Sequence, residues 1–158
     1  MLTAGDAADT DESFQRVYRD EYPGTVRLAR MLTGAPDVAE DLAQEAFVRL
    51  YRQGELAQRP AALLRTITVN VCRSWHQSQR RTAVRMVRHG PSATSLPAFE
   101  RELDDALRRL PYDQRAVVVL RYWLGMSEAE TALALGCRVG TVKSRHARAL
   151  FALRKELL

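Results

Sequence analysis

From Gly136 to Leu158 the chain carries six bases, Arg138, Lys143, Arg145, Arg148, Arg154 and Lys155, against one acid, Glu156. That surplus of five equals the formal net charge of the whole 158-residue chain. Guanidinium groups grip phosphate or the two acceptors of a guanine edge, and Lys and hydroxyl side chains hold phosphate or base edges. The bases follow Ser127-x-x-Glu130, a capping box that opens a short helix reaching Leu135. Gly136 then supplies a tight turn, and a second helix is expected to begin near Gly140. Two short helices across a glycine turn, the second one basic, make a helix-turn-helix whose second helix lies in the major groove. On that helix Val142, His146, Ala149 or Leu150, Leu153 and Leu157 recur at core-facing steps. Thr141, Ser144, Arg145 and Arg148 fall on the other side, with Lys143 at the edge. The chemistry written here is contact with DNA.

Catalytic chemistry has no such footing. The chain contains no GxSxG, HExxH, P-loop or GxGxxG motif. His76, His89 and His146 are scattered, and each reads as a surface or groove residue. Cys72 and Cys137 have no Cys or His at zinc-finger spacing and read as small buried thiols. The expectation is a protein that is not an enzyme and uses no cofactor or metal. A pI near 9.7 favours an acidic partner, nucleic acid or an anionic surface. No run approaches the ~18 apolar residues that span a bilayer, and the acidic N-terminus lacks the pattern of a secretory signal. Those features point to a cytoplasmic protein with no membrane insertion.

The elements that must position these residues read as helices throughout. Apolar residues at helical steps mark 11–32, with Pro23 as punctuation, and Gly34 and Pro36 closing that segment. A strong helix runs from Asp37 to about Arg52, and a third covers 61–81 with Leu64, Ile67, Val71 and Trp75 on its stripe. Its β-branched run TITVNV, Thr66 to Val71, sits inside that helical period. From Thr82 to Pro97 the apolar face is lost and Gly, Pro and Ser gather, the composition of a flexible linker. Phe99 to Leu110 is amphipathic, and Pro111 suits the first turn of a helix running to about Leu124. The expected architecture is all-α: a helical domain over 1–81, a linker over 82–97, and a helix-turn-helix domain over 98–158.

The stretch from Leu110 to Leu157 combines Leu-Pro-x-x-x-Arg, an apolar helix, Ser-x-x-Glu and GTVKSR at Gly140–Arg145. It resembles the fourth domain of bacterial sigma factors of the extracytoplasmic-function (ECF) type, in the sigma-70 family. The resemblance implies that this domain reads the minus-35 promoter element through Arg138, Thr141, Lys143, Ser144, Arg145 and Arg148. Arg138 stands where the family usually places a capping Ser, and Thr131 where a bulky aliphatic is usual.

PDVAEDLAQEAFVRLYR, Pro36 to Arg52, resembles the second sigma domain's most diagnostic helix. By that resemblance Asp41, Gln44, Glu45 and Arg49 dock on the clamp helices of the largest subunit of core RNA polymerase. The following helix resembles the promoter-melting, minus-10-reading segment, with Leu63, Leu64, Ile67 and Asn70 on its pattern and Ser74 where Asp is common. That implies minus-10 contacts from Arg65, Asn70, Arg73, Trp75, Arg80 and Arg81, with Trp75 either stacking on a base or filling the core. The loop Gln53 to Pro60 is where relatives capture a flipped base. Arg80, Arg81, Arg85 and Arg88 make the start of the linker basic, for a path through polymerase. Arg outnumbers Lys 22 to 2, as in GC-rich, actinobacterial-type members.

Three partners follow: core polymerase, promoter DNA and an anti-sigma factor. Two other readings stay open on the residues alone. One is a free-standing helix-turn-helix regulator; the other is an adaptor that binds polymerase or an anti-sigma protein without reading promoters.

Overall fold

The computed structural model describes residues 4–53, 58–81 and 97–158. Gly54 to Ala57 of the expected base-capture loop lie outside these residues, as does 82–96 of the expected linker with Arg85, Arg88 and His89. Helices α1 (Ala4–Thr33), α2 (Pro36–Arg52) and α3 (Pro60–Arg81) form one half, and no strand occurs among the described residues. Helices α4 (Ala98–Arg109), α5 (Tyr112–Val118), α6 (Glu128–Leu135) and α7 (Val139–Leu157) form the other.

The first helix departs from its expected bounds: it begins at Ala4 and runs unbroken through Pro23. A proline there removes the N–H that would bond to Arg19, but Arg19, Pro23 and Gly24 all face solvent, where water can serve the freed carbonyl. The buried side continues past it through Thr25, Leu28, Ala29 and Leu32. Gly34 (φ 65°) ends the helix in the left-handed conformation. A Cβ on Gly34 would stand 2.8 Å from Cγ of Arg108, so this glycine also lets the two halves approach.

In α2, Pro36 occupies the first turn, and Ala39, Leu42, Ala43, Ala46, Phe47 and Leu50 turn inward. Helix α3 buries Leu64, Ile67, Thr68, Val69, Val71 and Cys72, a stripe wide enough to meet neighbours on two sides. Thr68 keeps its buried hydroxyl satisfied by donating to the Leu64 carbonyl at 2.7 Å. Thr66 to Val71 is helical despite its β-branched content, because that face is committed to the core.

Helix α5 is the central post. Arg115 to Leu120 are buried without interruption, so the chain is covered on every side there. Pro111 is the residue before this helix rather than in its first turn. The α-helix gives way at Val119 to a π turn, Val119–Trp123, instead of continuing to Leu124. That turn places Tyr122 and Trp123 outward, and the Arg27 guanidinium lies 4.4 Å from the Trp123 ring.

One hydrophobic cluster joins Leu28, Phe47, Leu64 and Val71 of the first half to Tyr112, Val117, Leu120, Leu135 and Val142 of the second. The Tyr112 hydroxyl donates to the Val69 carbonyl at 3.4 Å, and burial raises its phenol pKa well above the usual range. Arg30 meets Asp104 at 3.5 Å. The halves are packed together, a resting arrangement the sequence did not disclose.

Candidate nucleic-acid interface

The turn of the helix-turn-helix is built as the capping residues dictate. Ser127 N donates to Glu130 Oε2 at 2.8 Å, and Glu130 N donates back to Ser127 Oγ at 3.1 Å. Gly136, at φ 62°, is the left-handed stop, and Cys137 N closes the turn on the Ala132 carbonyl at 3.0 Å. Helix α7 starts at Val139 with Arg138 as its N-cap. Arg138 has the extended backbone of a cap (φ −80°, ψ 153°) but makes no side-chain capping bond. Thr131 is fully buried in α6, and its hydroxyl has no hydrogen-bond partner among the described residues.

Val142, Ala149 and Leu153 of α7 face inward as expected. Leu157 does not: it is 40% exposed, because the last turn of α7 runs past the core. His146 is half-buried and shares a 2.7 Å hydrogen bond with the Tyr122 hydroxyl, its ring stacked on Tyr122 with centroids 5.6 Å apart. The π turn therefore braces the recognition helix, a role no local sequence signal announced.

Outward, Arg138, Lys143, Ser144 and Arg148 are exposed. Thr141 and Arg145 are half-buried. Arg145 is held by Asp113 at 3.4 Å, and Lys143 lies 3.9 Å from Glu128. Both carboxylates come from the same half as α7, and pairs this exposed hold only about 0–1 kcal/mol. All six candidate residues are thus at least partly exposed, four of them basic.

On α3, Arg65, Asn70, Arg80 and Arg81 are exposed, whereas Arg73 and Trp75 are half-buried. Trp75 packs against the main core cluster. Arg73 points toward the helix-turn-helix, its Nη1 3.9 Å from where a Cβ on Gly136 would sit. Cys72 is wholly buried, and burial pushes its thiol up to about 12, the inert behaviour its isolation in the sequence suggested. Cys137 is a free, half-buried thiol.

On α2 the six buried positions leave Asp41, Gln44 and Glu45 in solvent, joined by Arg49, which bonds Glu45 at 2.6 Å. Sequence reasoning missed the apolar flank of this face. Val48 and Tyr51 are 46% and 55% exposed, and they border a cleft of about 590 Å³ floored by Phe14, Tyr18 and Phe47. Phe14 meets Tyr51 edge-on at 4.9 Å. The aromatic spacing in α1 was the available signal.

No group of residues that could hold a metal occurs among the described residues. No described helix is long and apolar enough to cross a membrane.

A helix-turn-helix with a basic second helix, carried beside a second helical half with its own basic and acidic faces, defines a bipartite DNA-binding protein of transcription. Residues 17–82 match the family model for sigma-70 region 2, and residues 100–153 match that for sigma-70, region 4. The RNA polymerase sigma-E factor of Streptomyces coelicolor is 38% identical over 152 residues, spanning 92% of this chain and 86% of the relative. The ECF RNA polymerase sigma factor SigL of Mycobacterium tuberculosis is 34% identical over 170 residues, spanning 99% and 96%. Among solved structures, the sigma factor RpoE of Bartonella quintana, in complex with the anti-sigma factor NepR, superimposes with a TM-score of 0.73 at 27% identity, covering 92% of this chain and 97% of that one. The chain belongs to the ECF sigma factors of the sigma-70 family, the subunits that bind core RNA polymerase and direct promoter recognition.

Proposed function

We propose that the labour is divided by face. The exposed side of α2, with Asp41, Gln44, Glu45 and Arg49, docks on the clamp helices of core polymerase. Helix α3 opens and reads the minus-10 region through Arg65, Asn70, Arg73, Arg80 and Arg81, with Trp75 a half-buried wall beside them. Helix α7 reads the minus-35 element through Arg138, Thr141, Lys143, Ser144, Arg145 and Arg148. The protein acts in the cytoplasm as a non-catalytic subunit. An anti-sigma factor is a further partner, by analogy with RpoE of Bartonella quintana, which was solved in complex with one. The observation that carries the reading is the pairing, in one chain, of an exposed acidic helix face with an exposed basic recognition helix set behind the capped α6.

The packed arrangement cannot serve both elements at once. Elements centred about 25 base pairs apart are separated by about 85 Å along B-DNA at 3.4 Å per pair. A compact chain of this length has a radius of gyration of about 15 Å, hence a diameter of about 40 Å. The 15 residues from Thr82 to Leu96, which join the halves, can reach about 55 Å at full extension. In this reading the halves part on docking, each keeping its own recognition helix and the tether keeping their effective concentration high.

The test is co-purification with core polymerase followed by run-off transcription. Reversing charge with Asp41→Arg and Glu45→Arg should abolish both and leave helical circular dichroism unchanged. Binding to core enzyme unaltered at physiological salt would remove α2 from the docking role. Promoter binding by the free chain as tight as that of the polymerase-bound form would replace the bipartite mechanism with a free-standing regulator.

A further inference from the structure

Between the C-terminal turns of α3 and the α4–α5 junction lies a cleft of about 480 Å³. Arg73, His76 and Arg80 line it from one half, and Arg108, Arg109 and Arg115 from the other. Among the described residues, Asp113 is the one acid that lines it. The cations are not equally committed. Arg115 spends its guanidinium on four backbone carbonyls, and Arg109 is bonded to Glu156. Asp113 is already paired with Arg145. Among the described residues, no ion pair or hydrogen bond engages the side chains of Arg73, Arg80 or Arg108. His76 stacks on Tyr112 at 4.7 Å, and its pKa is lowered by burial first and then by the charges of Arg115 and Arg80.

Three uncommitted arginine side chains line one concave space, and among the described residues they have no counter-charge. The stretch that follows α3 in sequence, Thr82 to Leu96, contains Arg85 and Arg88 and no carboxylate. Planar guanidinium forks match phosphate oxygens two at a time. The volume falls in the range of small-ligand sites, about 300–1,000 Å³.

We propose that this cleft binds a small phosphate-bearing anion of the diphosphate class, held by Arg73, Arg80 and Arg108. Because these side chains come from both halves, the bound anion ties the halves together and favours the packed arrangement over the parted one. This binding rests on the cleft's geometry and does not require the assignment of promoter elements.

The experiment uses the full chain and inorganic pyrophosphate as the probe, with urea and thermal unfolding followed at constant ionic strength. Pyrophosphate should raise the unfolding midpoint saturably, by several degrees at a hundredfold excess over Kd, where sodium chloride at matched ionic strength does not. Arg80→Gln with Arg108→Gln, which keeps the apolar stems, should reduce the shift at least tenfold in apparent affinity. Arg154→Ala, an exposed base away from the cleft, should leave it intact. A shift shared by chloride, or one surviving in the double variant, overturns the site. If the double variant loses affinity for a single-stranded oligonucleotide while pyrophosphate has no effect on the wild-type chain, the cleft is a nucleic-acid backbone groove and the proposal fails.

Discussion

Replacing Arg115 with Met keeps most of the apolar stem and removes the guanidinium from the middle of the molecule. Arg115 is 6% exposed and, among the described residues, is paired with backbone carbonyls rather than a carboxylate. Its Nε donates to the Leu107 carbonyl at 2.8 Å, Nη1 to Leu32 at 2.8 Å, and Nη2 to Arg108 and Leu110 at 2.9 and 3.0 Å. These acceptors are helix-end carbonyls: Leu32 lies in the last turn of α1, and Pro36 four residues on has no N–H to offer it. Three of the four bonds are buried. Leaving three buried carbonyls unpaired costs about 1–3 kcal/mol each. The relief of a buried cation, whose pKa burial already lowers, returns several kcal/mol. The net loss expected for Arg115→Met is about 3 kcal/mol, and Arg115→Lys, reaching one or two of the carbonyls, should lose about half that. In urea, with a slope of about 2 kcal/mol per molar, the Met variant's midpoint should fall by about 1.5 M without a change of slope. A fall under about 0.3 M would refute the claim that this one side chain closes the ends of α1 and α4. Two separate transitions in the wild-type chain would refute the shared core.

Arg138→Ser places a capping oxygen on backbone that already has the cap conformation, so stability should rise by about 1 kcal/mol while DNA affinity loses about one unit of salt slope. Thr131→Val deletes the unpartnered hydroxyl at nearly constant shape and should stabilise by about 1 kcal/mol; a loss in chemical denaturation would show that the hydroxyl is satisfied after all. His76 should titrate below its ordinary 6.5 by NMR, and Arg80→Ala should move it upward. Since the folded pKa is the lower one, the unfolded chain takes up the proton first. Stability should therefore be unaffected by this group above pH 6.5 and decline as pH falls from there through the folded pKa; a midpoint at or above 6.5 would contradict the packed geometry around the ring.

What could be read from the sequence was what is decided locally. Ser127 and Glu130 meet across three residues, Gly136 sets its own φ, and the stripe of α2 repeats within two turns, so their structures follow from short windows. Arg115 could be recognised only as part of a resemblance, because its acceptors lie between 5 and 83 residues away. Pro23 misled as punctuation since burial on the far side of α1 outweighs the missing hydrogen bond at an exposed carbonyl. The half-burial of Trp75 and the engagement of Arg145 by Asp113 depend on which elements meet in space. The basic face of α7 was legible, and its bracing by Tyr122 was not.

The way the charges are held suggests an order of events. Among the described residues, the acids paired with the basic face of α7 are Asp113, with Arg145, and Glu128, with Lys143, both from its own half. Such exposed pairs orient a side chain and yield to phosphate at little cost. The contacts between halves are of another kind: Arg115 on the Leu32 carbonyl, Tyr112 on Val69, and a continuous apolar cluster, all buried. DNA contacts alone, made one half at a time, give little to offset their loss. The face of α2 is already exposed in the packed state, whereas Arg73 is turned toward Gly136. If α2 is the docking face and Arg73 a DNA contact, as proposed, docking through α2 can precede separation, and the polymerase contacts would then supply the free energy that frees Arg73 for DNA. In a stopped-flow experiment with donor and acceptor labels on the two halves, this order requires that core polymerase alone separate them and that promoter DNA alone leave them packed. Separation by DNA in the absence of polymerase would reverse the sequence of steps.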